Sequence, residues 1–138
     1  MAKQSDYKAR EKKLLSVTCL DGRINNFDVN RRYIIKRAKI TPNYTYKELE
    51  EFIFILNKAI SDASDIKRLN DIGKTFKKNF ILWAQALIES MVPLQNYCIT
   101  GDKKWIKEHK KIFSYKVKLL RNDYIDSLTE LRLYVVLV

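Results

Sequence analysis

The chain has 138 residues, 46% hydrophobic and 12% aromatic, which excludes a disordered polypeptide and fits one globular domain. Its 27 Lys and Arg outweigh 16 Asp and Glu to give a net charge of +11. That balance favours polyanionic partners, meaning DNA, RNA, an acidic membrane surface or an acidic protein, over neutral ones. Two cysteines, Cys19 and Cys98, and one histidine, His109, leave no CxxC pair and exclude a structural zinc site within one chain. Reduced thiols and a cytoplasmic location are the expectation.

Gly22, Pro42, Gly73, Pro93 and Gly101 are all the glycine and proline in the sequence. Both residue types concentrate at breaks in helices. So few of them predict an all-α fold: a three- or four-helix bundle with a long C-terminal helix and a basic, partly mobile N-terminal segment. Residues 1–28 read as the basic arm and loop region, and 29–138 as the bundle, in a single helical domain.

Residues 4–15 form a short charged helix opening at Ser5 or Asp6, with too little apolar content to dock firmly. The first 13 residues are polar and basic, which is not the pattern of a signal peptide. Asp21-Gly22, between Val17-Thr18-Cys19-Leu20 and Arg23-Ile24, suits either a small hairpin or a plain loop. A helix follows over 29–39, with Asp28 as its N-cap and Pro42 as its stop.

The next helix opens on the capping-box pattern Thr45-Tyr46-Lys47-Glu48 and continues through Leu49, Phe52, Ile53, Leu56 and Ile60. A third runs from about Asp65 to Met91, with Leu69, Ile72, Phe76, Phe80, Trp83 and Leu87 on one face and Lys67, Lys74 and Lys78 on the other. Pro93 ends it, and Leu94, Tyr97 and Cys98 form a turn. The last helix starts near Thr100 or Asp102 and meets no breaker, for a length of about 55 Å. Its apolar end, residues 133–138, is too short to span a membrane. A homodimer is the simplest cover for such an end.

No motif calls for catalysis. GxGxxG, GxxxxGK[ST], HExxH and ExxH are all missing from the sequence, and three glycines cannot build a phosphate cradle. His109 reads as a packing histidine on the border of the apolar face rather than as a general base. The acidic cluster Asp62, Asp65 and Asp71 reads as a helix junction capped by Asp65 or Ser64 rather than as a cation site, and Cys98 as a buried, inert thiol. No cofactor and no metal are expected, and the protein reads as non-enzymatic.

Charge carries the functional signal. Residues 1–40 hold +7 of the +11. Arg31, Arg32, Lys36, Arg37 and Lys39 recur within nine residues, a density suited to phosphate contacts. Lys103, Lys107, Lys110 and Lys111 begin a second stripe that continues to Lys118 and Arg121. Tyr33 and Tyr7 either stack on bases or pack. Residues 29–60 have the outline of a helix-turn-helix, but Glu48, Glu50 and Glu51 would repel phosphate at the opening of its second helix.

The expectation is a small non-enzymatic protein that binds nucleic acid mainly through phosphates. The Lys-, Ile-, Asn- and Tyr-rich composition fits an AT-rich genome such as that of a phage or mobile element, as an accessory protein. The alternative is a helical protein-interaction or oligomerisation module whose charge serves solubility.

Overall fold

In the computed structural model the apolar stretch 71–100 becomes the central helix, in contact with nearly every other element. The backbone is described for residues 4–137 and the side chains for 8–136. In chain order the helices are α1 (Gln4–Val17), α2 (Gly22–Asn25), α3 (Phe27–Ile40), α4 (Pro42–Asp65), α5 (Asp71–Thr100) and α6 (Lys104–Ile112). A π-helical turn (Phe113–Val117) then joins α6 to α7 (Lys118–Leu137) without a break. The fold is an all-α bundle. α4 packs on one side of α5, and the continuous α6–α7 helix packs on another.

The core follows the apolar periodicity. Phe76, Phe80, Trp83 and Leu87 of α5 are buried against Leu49, Phe52 and Leu56 of α4, and against Phe113, Val117 and Tyr124. Trp83 stacks on Tyr124 with ring centroids 4.5 Å apart. A small second cluster, Ala38, Tyr97 and Ile106 with Ile35, Cys98 and Trp105 against it, fastens α3 to α6 at the end of α5.

Pro93 acts differently from the expectation, while Pro42 stops α3 as expected and also opens the next helix. Pro93 lies buried inside α5, which continues through Leu94, Tyr97 and Cys98 to Thr100. Close packing by α6 and the π turn holds the helix together across the missing N–H. The helix stops at Gly101, whose φ of 69° is left-handed. Pro42 opens α4 at its first position, so only Thr41 separates α3 from α4. Thr45 and Glu48 therefore lie inside α4, both buried, and form no capping box.

Other boundaries shift for local reasons. Asn70, not Ser64 or Asp65, caps α5: its side chain accepts the Gly73 N–H at 2.8 Å. Asp21 caps the short α2, accepting the Arg23 N–H, so Asp21-Gly22 starts a helical turn rather than a hairpin. α3 begins one residue before Asp28, which sits in its first turn rather than at the cap.

Over residues 8–17 the N-terminal arm is fixed to the bundle by few but well-buried groups. Leu14 and Glu11 are fully buried. Glu11 accepts the Asn70 N–H at 3.1 Å, and Arg10 donates to the Arg68 carbonyl at 3.1 Å. Residues 1–3 lie outside the described set. At the other end Leu131 is buried, and Tyr134 and Val135 pack on the main core, so the bundle itself covers much of the apolar terminus. No helix among the described residues is long and apolar enough to cross a membrane.

Candidate nucleic-acid interface

α3 presents two faces to the rest of the molecule. Phe27 and Ile34 enter the core, and Asp28, Arg31 and Ile35 lie toward α6. Between α3 and α6 runs a groove of about 560 Å³, lined by Arg31, Arg32, Tyr33, Lys39 and Lys110 with Ile35 and Ile106 as apolar surface. Val29 and Asp28 complete its rim. The two basic segments singled out in the sequence thus share one surface, although about 70 residues separate them.

The nine candidate residues divide. Arg32, Lys39 and Lys110 line the groove, are exposed, and make no ion pair with a described residue. Lys36, Lys103, Lys107 and Lys111 are also exposed and unpaired among the described residues, but do not line the groove. Arg37 turns to α4, where it bonds the buried Glu48 at 2.6 Å. That contact makes Arg37 a structural partner rather than a free phosphate ligand. From the π turn onward basic side chains are engaged internally: Lys116, within the turn, bonds Glu89 at 2.7 Å, and Arg121 of the stripe bonds Asp28 at 2.9 Å.

Arg31 is anchored from two sides. Its Nε–H donates to His109 Nε2 at 2.9 Å, and its guanidinium carbon sits 4.3 Å from the centre of the Phe113 ring. Because an arginine Nε only donates, His109 Nε2 must be an acceptor. The ring proton is then on Nδ1, 2.6 Å from the Ser90 carbonyl in the turn of α5 that holds Pro93. His109 is fully buried, and burial pushes its pKa down to about 4, with the nearby Arg31 charge acting in the same direction. It is a neutral packing histidine, as its border position suggested. Burial also lowers the pKa of Arg31, and Asp28 acts against this.

Tyr33 is 61% exposed on the groove rim. Cys98 is half-buried and burial raises its thiol pKa, which disfavours the nucleophilic thiolate. Asp62 pairs with Lys58 at 3.1 Å. No group of three His, Cys, Asp or Glu able to hold a metal ion occurs among the described residues.

A second cationic surface lies at the α4–α5 junction, where Lys67, Arg68, Lys74 and Lys78 surround a groove of about 330 Å³. Lys77 sits in the same wall but is tied to the Ser64 and Ile66 carbonyls. Lys67, Lys74 and Lys78 are expected from the sequence on one face of a continuous helix, opposite its apolar face. That helix is interrupted at 66–70, where the chain turns and Arg68 adopts a φ of 58°.

Compared with protein-family models, with curated proteins and with solved structures, the chain matches none.

Proposed function

We propose that the protein is a non-enzymatic nucleic-acid-binding protein that seats the phosphates of DNA or RNA in the α3–α6 groove. The observation that carries this reading is the convergence of Arg32, Lys39 and Lys110 on one groove, none of them ion-paired with an acidic side chain among the described residues. Uncompensated cations along a concave surface attract a phosphate backbone and confer little sequence choice. The exposed Tyr33 on the same rim offers a face for a base to stack on. An accessory role in a phage or mobile element, within the cytoplasm, fits this reading and the composition. Anisotropy of a labelled oligonucleotide at low salt tests it: saturable binding is expected, and no binding overturns it.

A second reading, self-association as a homodimer, is favoured by one observation. Leu133 and Val136 stay exposed beside the packed end of α7. Light scattering of concentrated protein that finds only monomer removes it.

A further inference from the structure

We infer that Arg31 is a fixed two-pronged seat for one phosphodiester group, held in position by His109 and Phe113. This deepens the groove reading and rests on it. An arginine usually loses side-chain freedom when it grips an anion. Here that freedom is already lost. The Nε is occupied by His109 Nε2 at 2.9 Å and the guanidinium plane rests on Phe113 at 4.3 Å. The two terminal nitrogens have no hydrogen-bond partner among the described residues, and Arg31 lines the groove.

The local charge balance also calls for an anion. Asp28 is the carboxylate that acts on Arg31, yet it is already bonded to Arg121 at 2.9 Å. The residue facing Arg31 directly, His109, is neutral and so offers no negative charge. Around it stand Arg32, Lys39 and Lys110, which add positive charge. A half-buried guanidinium with only a shared counter-ion is costly unless an anion completes it. A phosphate oxygen pair matches the fork of terminal N–H groups, whereas a lysine ammonium offers a point charge without that geometry.

The π turn gives the seat its place in the sequence. It begins at Phe113, directly beneath Arg31, and π turns occur often at binding sites. His109 therefore acts as a positioning residue, acting through Arg31.

The test uses the full chain and one labelled single-stranded oligonucleotide. R31K keeps the charge and removes the fork, and is expected to weaken binding about tenfold, while R32K changes it less than about threefold. H109A is expected to resemble R31K, and H109Q, which can still accept from Nε, to recover most of the loss. Equal losses for R31K and R32K overturn the seat and leave the groove reading intact. If the wild-type chain binds no oligonucleotide, or if R31K does not fold, inorganic phosphate is titrated into wild-type protein while the Arg31 Nε–H signal is followed by NMR. A saturable shift supports the seat even where the nucleic-acid reading has failed; an unmoved signal overturns it.

Discussion

Arg31 and His109 stand 78 positions apart in the chain and share one hydrogen bond of 2.9 Å that fixes the histidine as a neutral acceptor. The bond couples stability to pH. Burial, chiefly, lowers the His109 pKa to about 4 from an ordinary 6.5. The unfolded chain therefore binds the proton more readily. Stability is full above pH 6.5 and is lost as pH falls towards 4, by about 3 kcal/mol across that window. H109Q should remove this part of the slope in urea titrations. Glu11 works in the opposite sense, since burial raises its pKa and the folded state gains from protonation. A wild-type slope equal to that of H109Q would contradict the buried, neutral histidine.

Gly73 is required by contact rather than by a helix break. A β-carbon there would fall inside the Glu11 carboxylate. G73A is expected to destabilise by about 1–2 kcal/mol, since displacing the buried, hydrogen-bonded Glu11 outweighs the gain of about 1 kcal/mol from alanine as the better helix former. Adding E11A should restore most of the loss, since the clash disappears with the carboxylate. Thermal melts of the two single variants and the double variant check this; simple additivity would count against the close approach.

Arg37 and Glu48 should separate stability from binding. Glu48 has 7% of its side chain exposed and takes its short bond from Arg37, with Arg23 farther off at 3.8 Å. R37Q leaves a buried carboxylate poorly paired and should cost about 2 kcal/mol. It should change oligonucleotide affinity less than about threefold, because Arg37 does not line the groove. K110Q should do the reverse: unchanged melting and about fivefold weaker binding.

The helical class was legible because local signals carry it. Few breakers and a regular run of Phe76, Phe80, Trp83 and Leu87 leave no other regular structure. The Pro93 and capping assignments failed because tertiary contacts decided them. Pro93 is enclosed by packing, and Glu48 lies inside α4, where it pairs with Arg37 instead of capping the helix. Charge density in α3 marks a helix that lines the groove, but it does not say which of its side chains reach it. Sequence spacing does not say that Arg37 turns to α4, that Arg31 turns to His109, or that Lys110 and Lys39 line one groove. Lys67, Lys74 and Lys78 share a face as their spacing suggests, but the chain turn at 66–70 that adds Arg68 to it leaves no local signal.

Nucleic-acid binding through the α3–α6 groove is the central claim, and the salt dependence of oligonucleotide affinity tests it most directly. With about four phosphates neutralised, affinity should fall about a hundredfold between 50 and 200 mM salt. The triple variant R32Q/K39Q/K110Q should bind weakly, with a salt slope lower by about two. A wild-type affinity that is flat with salt, or a triple variant with unchanged slope, would contradict the account.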